Sequence, residues 1–239
     1  MTEPLVTIIT ATTCSPEVGK NIQSVADQTY KNIQHLVVVD GKGVLGSYPF
    51  HKHLDIINLP YNTGHSGYNG HRIYAAGTFL AKGEYICFLD QDNWLEPNHI
   101  ESLVKTIQEG NNWAYSLRRI TTMDGSPICN DDCESLGKWK SVLNDNFVDV
   151  NCFFLQRQIA LQIAPLWYRR ARHPDDQPEV DRIISHVLFN NNLKCDTNGK
   201  YTVNYRAGNR TDSVQGEFFL RGNEAMKQKM NGEYPWRKI

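Results

Sequence analysis

Asp90 and Asp92 stand one residue apart just beyond the run Tyr85-Ile-Cys-Phe-Leu89, and carboxylates at that spacing can act on a single cation. The run is apolar and aromatic, so it reads as a short strand buried on both faces. Side chains at i and i+2 of an extended chain point to one side, so the two acids can converge at the strand's end. Hard oxygen ligands at the carboxyl edge of a sheet suit Mg²⁺ or Mn²⁺, and either ion would bring a diphosphate with it. A strand followed by a plain polar turn is the simpler alternative.

Other residues with chemical potential point nowhere so definite. The six cysteines, at 14, 87, 129, 133, 152 and 195, are scattered. Cys87 and Cys152 lie in apolar runs and read as small buried hydrophobes. Cys129 and Cys133 lack the second close pair that a zinc site needs. Gly41-Lys-Gly43-Val-Leu-Gly46 matches the dinucleotide fingerprint, but Ser-Tyr-Pro-Phe follows where a helix should open, so a solvated loop is expected. His65 and His71 sit in a glycine-rich stretch and could touch phosphate, with solvent exposure the plainer reading. Trp94 and Trp113 read as packing residues.

The elements that must position the paired acids follow an α/β pattern. Leu5 to Thr10 is a β-branched central strand. Ser15-Pro16-Glu17 predicts a helix start, and Val18, Ile22 and Val25 carry it to about Gln28. His35 to Val39 is the next strand and ends at Asp40-Gly41, so the three elements form a parallel β-α-β unit with a right-handed crossover. Leu54 to Leu59 is a third strand. The glycines at 64, 67 and 70 then mark a loop whose backbone approaches something closely, or moves. His71 to Ala81 is a helix delivering the chain to the Asp90/Asp92 strand, and Pro97 opens another with Ile100, Leu103, Val104 and Ile107 on one face. Beyond Gly110 the pattern changes. Trp113 to Met123 and Ser-Pro-Ile-Cys129 form a hairpin around Asp124-Gly125. Asp149 to Leu155 is a strand, Gln156 to Leu166 a short helix, Pro178 the start of another helix, and Lys200 to Tyr205 a last strand. The tail after it carries no assigned element.

Composition sets outer limits. With 239 residues, 40% hydrophobic and 21% charged, the chain can build one large soluble domain. A formal charge of −1 argues against a nucleic-acid binder. Met-Thr-Glu-Pro-Leu lacks a basic leader pattern, and no apolar run approaches the roughly 20 residues of a membrane span. A cytoplasmic location is expected, which leaves room for a peripheral membrane contact.

Taken in order, Leu5-Val-Thr-Ile-Ile-Thr-Ala-Thr12, Ser24-Val-Ala-Asp-Gln-Thr-Tyr30, Val-Val-Val-Asp40-Gly, Asn62-Thr-Gly64, Arg72 and Ala81-Lys-Gly-Glu-Tyr-Ile-Cys-Phe-Leu-Asp90-Gln-Asp92-Asn93 resemble a family 2 glycosyltransferase of the GT-A fold. The likeness is densest over residues 5–105 and thin beyond. It implies an open, mostly parallel twisted sheet flanked by helices, with a smaller mixed sheet on the acceptor side. One domain would span 1–239: a nucleotide-sugar half to about 95, an acceptor half to about 205 and a C-terminal tail. It implies inverting transfer of a sugar from a nucleotide-sugar donor, a UDP-sugar favoured over a GDP- or dTDP-sugar, to a glycan, lipid-linked or protein acceptor. By the same resemblance Thr10, Ala11, Thr12 and Asp40 would contact base and ribose, and Arg72 the base or diphosphate. Asp90 would hold ribose or the metal's water shell, and Asp92 the Mg²⁺ or Mn²⁺ ion. His173 is a conceivable extra ligand.

The family's general base lies near the start of a helix in the second half, which here means Asp175-Asp176-Gln-Pro-Glu179-Val-Asp181-Arg182. Asp181 shares a flank with Ile184 and Leu188, and partial burial there would raise its pKa and suit it to accept a proton. Glu179 is the alternative, although its place in the first turn is explained by the helix dipole alone. Asp175 and Asp176 read as loop or capping residues. A sugar-nucleotide pyrophosphorylase would carry glycines and a basic residue after its first strand, where Thr-Ala-Thr-Thr-Cys-Ser stands. A non-catalytic nucleotide-sugar binder would be expected to lack one of the acids present here.

Overall fold

The computed structural model describes residues 3–46, 51–168, 180–208 and 213–238. Its first half is the expected β-α-β arrangement. Strand β1 (Val6–Thr12) pairs in parallel with β2 (Ile33–Asp40) and, on its other side, with β4 (Tyr85–Phe88), while β3 (Leu54–Leu59) lies parallel on the outer edge of β2. Val6, Ile8, Ile9, Val37 and Val39 are fully buried, as strands covered on both faces must be. Helix α1 (Val18–Ala26) packs Val18 and Ile22 against Val37 on one side of the sheet. Helix α2 (His71–Leu80) covers the other, where Gly77 lets it approach β1: a Cβ there would stand 2.8 Å from the Ile9 side chain.

α1 begins differently from the sequence expectation. The hydroxyl of Ser15 does not cap it. Ser15 instead accepts the Val18 amide through its carbonyl at 3.1 Å, and Pro16 and Glu17 complete a turn before the helix opens.

The second half adds β5 (Trp94–Leu95), helix α3 (His99–Gln108), β6 (Trp113–Thr121), β7 (Pro127–Asn130), β8 (Phe153–Gln156), helices α4 (Arg157–Ile163) and α5 (Val180–Asn190), β9 (Cys195–Arg206) and helix α6 (Gly216–Lys229). The smaller mixed sheet is joined edge to edge with the parallel one through the antiparallel β4–β8 pair. The described strands therefore form one sheet in the order β3-β2-β1-β4-β8-β6-β9-β5, with β7 hairpinned onto β6 around Asp124-Gly125.

Other expectations shift too, and the last strand begins at Cys195, five residues before the expected Lys200. The strand foreseen from Asp149 starts only at Phe153, because the Asp149 carboxylate accepts the Asn151 amide at 3.0 Å and winds Val150–Cys152 into a 3-10 turn. The helix foreseen over 156–166 stops at Ile163 and tightens to 3-10 geometry, since Pro165 has no amide hydrogen to continue the ladder. The tail contains α6, which buries Phe219, Gly222 and Met226.

Candidate functional site

The pairing register brings the carboxyl ends of three strands to one place. Thr12 of β1 lies opposite Val39, one step before Asp40, and the Leu89 amide bonds the Ile9 carbonyl at 3.0 Å, which sets Asp90 beside the exit of β1. Ligands of open α/β sheets bind at such ends. A cavity of about 890 Å³ opens there, and Ala11, Thr12, Asp40, Asp90, Asp92 and Asp181 all line it.

The β1 and β2 ends form one wall of the cavity. Thr12 Oγ1 donates to Gln91 Oε1 at 2.8 Å, and the same oxygen accepts the Thr13 amide at 3.0 Å. Gln91, the residue between the two acids, thus ties the β1 exit to the Asp90 turn. Thr10 shares the face of Thr12 but lies deeper: it is fully buried, and its hydroxyl meets Asn21 at 3.2 Å and His35 at 3.0 Å, away from the cavity lining. Asp40 is 5% exposed, and its two oxygens accept the amides of Thr63 and Gly64, the latter at 2.9 Å. The carboxylate therefore organises the glycine-rich loop. At Gly64 a Cβ would fall 2.2 Å from the Asn69 carbonyl oxygen, and at Gly70 it would fall 2.9 Å from Ala11 Cβ, so both glycines serve close backbone approach.

Arg72 does not line this cavity. Its guanidinium donates to the Thr63 carbonyl at 3.1 Å and lies between two rings, 3.5 Å from the centre of Tyr68 and 4.8 Å from that of Tyr168. It braces the glycine-rich loop from outside. His71 does line the cavity and leans on Trp167 at 5.7 Å. His65 is exposed.

Asp90 and the turn that carries Asp92 are held from several sides. Tyr74 of α2 donates its hydroxyl to Asp90 Oδ1, and Asn151 Nδ2 donates to Oδ2 at 2.9 Å. Burial, then repulsion from Asp92, pushes the Asp90 carboxyl up to about 7, with Asp149 adding to the rise and the hydrogen bonds from Tyr74 and Asn151 opposing it. Asn21 Nδ2 fixes the turn from below through the Asp90 carbonyl at 2.8 Å. Arg206, at the end of β9, closes it from above: its amide donates to Asn93 Oδ1 at 3.0 Å and its Nη1 to the Asp92 carbonyl. The Arg206 side chain lies 4.9 Å from the Trp94 ring centre, and its Nε is buried without a hydrogen-bond partner.

Asp181, which also lines the cavity, stands in the first turn of α5, with Oδ1 accepting the Arg182 amide at 2.9 Å. Glu179 lies outside the described residues, as do His173, Asp175 and Asp176. Asp149, Tyr205 and Arg206 line the cavity too and were not singled out from sequence. Arg206 follows the last expected strand by one residue, so the strand-end rule could have found it. Asp149 was hidden inside an expected strand.

Cys133 packs beneath Gly222, where a Cβ would stand 2.6 Å from its sulfur. Among the described residues no helix is long and apolar enough to cross a membrane.

The family model described as Glycosyl transferase family 2 matches residues 6–162. No curated protein matches the chain. Among solved structures, that of S. aureus TarS 1–349 is similar with a TM-score of 0.60 at 15% identity, over 84% of this chain and 60% of that one. The structure of the same TarS segment in complex with UDP-GlcNAc gives 0.57 at 13% identity, over 89% and 60%. S. aureus TarS gives 0.58 at 12% identity, over 98% and 44%. The chain thus spans less than two thirds of the length of each, and at these identities the likeness is one of fold.

Proposed function

The chain belongs to glycosyl transferase family 2 and has the GT-A fold, and on that premise we propose that it transfers a sugar, with inversion, from a nucleoside-diphosphate donor to an acceptor hydroxyl. A UDP-sugar is the favoured donor, in keeping with the structures of TarS in complex with UDP and UDP-GlcNAc. One observation carries the reading. Carboxylates from the turn after β4 and from the first turn of α5 line one cavity, together with the ends of β1 and β2 and Arg206.

In this reading Ala11, Thr12 and Asp40 take the nucleoside, and the diphosphate lies toward Asp92 and Arg206. Among the described residues no group of three or more His, Cys, Asp or Glu side chains is set to hold a metal ion. Two carboxylates nevertheless fit Mg²⁺ or Mn²⁺, which keep several waters and take further ligands from substrate phosphates. In this reading Asp92 would be the direct ligand, and Asp90, whose two oxygens accept hydrogen bonds from Tyr74 and Asn151, would act on the water shell. The ion, when bound, would offset charge developing on the diphosphate.

Asp181 takes the proton of the acceptor hydroxyl while the hydroxyl oxygen bonds the anomeric carbon. The bond from that carbon to the diphosphate oxygen breaks on the opposite face, and the nucleoside diphosphate leaves with the electron pair. Arg206 offers the leaving group a fixed cation, which lowers the barrier by the preorganised electrostatics that such sites rely on. Glu179 is the second candidate for the proton acceptor.

Thermal unfolding measured with UDP-, GDP- and dTDP-sugars, with and without Mn²⁺, tests this reading. A donor at a hundredfold excess over its dissociation constant should stabilise the fold by about 2.7 kcal/mol, and most strongly with the metal. No shift with any nucleotide sugar would overturn the proposal.

A further inference from the structure

Transfer demands that Asp181 stay at fixed reach of the reacting centre, yet helix ends fray. A run of charged contacts beside Asp181 addresses this. The next residue, Arg182, sends its guanidinium to Glu134 Oε1 and to Asp145. Glu134 turns its other oxygen to Arg118 Nη2 at 2.5 Å. Arg118, 2% exposed, also donates through Nε to Asp131 at 2.8 Å and through Nη1 to Asp149. Asp149 lines the cavity and accepts the amide and Nδ2 hydrogens of Asn151, at 3.0 and 2.8 Å, and Asn151 holds Asp90. Hydrogen bonds thus run without a break from the residue beside Asp181 to the first acid of the pair.

Two further contacts dock α5 on this frame. The Phe147 ring lies 4.2 Å from the Arg182 guanidinium and 5.9 Å from that of Arg118. Ser185, one turn along α5, accepts the Val148 amide at 3.0 Å.

Stability alone does not account for such a cluster. Buried ion pairs give little net stabilisation, and apolar residues of similar volume often serve as well. This cluster sets four carboxylates, Asp131, Glu134, Asp145 and Asp149, against two guanidinium groups. Its two ends reach toward two groups, Asp90 and Asp181, that line one cavity.

We propose that Arg182 is a positioning residue for Asp181, anchoring the first turn of α5 through Glu134 and Arg118 to the frame that holds Asp90. This inference rests on the reading of Asp181 as the proton acceptor.

The test compares wild type with Arg182→Gln, Arg182→Lys, Glu134→Gln, Asp181→Asn and the double variant Asp181→Asn/Arg182→Gln. Release of the nucleoside diphosphate, with water as acceptor and Mn²⁺ present, is followed for UDP-GlcNAc, GDP-mannose and dTDP-glucose, beside thermal unfolding. Misplacement of a reacting group by about 1 Å costs up to about 100-fold in rate. Arg182→Gln should therefore lower kcat about 10- to 100-fold, with donor KM essentially unchanged. Lysine, which can reach one carboxylate at a time, should restore part of the loss. Glu134→Gln should act in the same direction, and the double variant should be no slower than Asp181→Asn alone. Arg182→Gln with a lowered unfolding temperature but wild-type kcat, where Asp181→Asn is slow, would overturn the positioning role only. Wild-type rates in Asp181→Asn, or no turnover of any donor by the wild type, would overturn the underlying reading and this inference with it.

Discussion

Asn151 meets Asp90 twice: its Nδ2 donates to the Asp90 carboxylate at 2.9 Å, and its Oδ1 accepts the Asp90 amide hydrogen at 2.7 Å. The pair joins the 3-10 turn before β8 to the end of β4, so the first acid of the metal-suited pair is set by a residue 61 positions away. Asn151 is fully buried. Asn151→Leu takes the partner from one Asp90 carboxylate oxygen and from the Asp90 amide, and should cost about 1–3 kcal/mol in denaturant unfolding. An unchanged midpoint would show that the contact contributes nothing.

The raised Asp90 carboxyl gives the metal-free protein a pH signature. Its folded pKa, about 7, lies above the ordinary carboxyl value of 3.8. Between those values the folded state binds more protons than the unfolded one, so stability falls as pH rises. The contribution is fully present below about 4 and is lost as pH passes through about 7. Asp90→Asn should flatten the unfolding-temperature profile across that window in the absence of divalent cations. A variant profile parallel to that of the wild type would contradict the assignment.

In the proposed mechanism Asp92 is the side chain that would touch the cation directly. Asp92→Asn should leave the unfolding transition near that of wild type while turnover drops sharply, because the ion offsets leaving-group charge. Full wild-type activity in excess EDTA would remove metal dependence from the mechanism.

Asp40 accepts two loop amides and also lines the cavity, so its loss should loosen the Asn62–Gly64 turn against which a nucleoside would lie. Asp40→Ala should weaken nucleotide binding by about 1–3 kcal/mol in calorimetry. Asn in its place retains an acceptor for one amide and should fall between. Equal affinity in all three proteins would mean that neither the loop nor the carboxylate matters to binding.

What could be read before folding depended on contact range. Leu54 to Leu59 and the start of the helix at His71 have the bounds expected, because β-branched runs and helical periods are local signals. Asp40, Asp90 and Asp92 end such runs, which is why they could be picked out as cavity candidates. Thr10 and Arg72 end or follow runs equally well, yet tertiary partners occupy them: Asn21 and His35 in one case, Tyr68 and Tyr168 in the other. Helix α6 was obscured because one position on its buried face is Gly222, where Cys133 leaves no room for a side chain. The Arg118 cluster was beyond reach, since its carboxylates are scattered over irregular segments that only the folded sheet brings together.

The most direct test of sugar transfer across this cavity is Asp181→Asn, assayed for transfer and for donor binding separately. Removing a general base costs on the order of 10²–10⁴ in rate. The variant should show a loss in that range while its affinity for the nucleotide sugar stays at the wild-type value. Near-normal transfer by Asp181→Asn would contradict the mechanism and pass the proton-accepting role to Glu179 or to another neighbour.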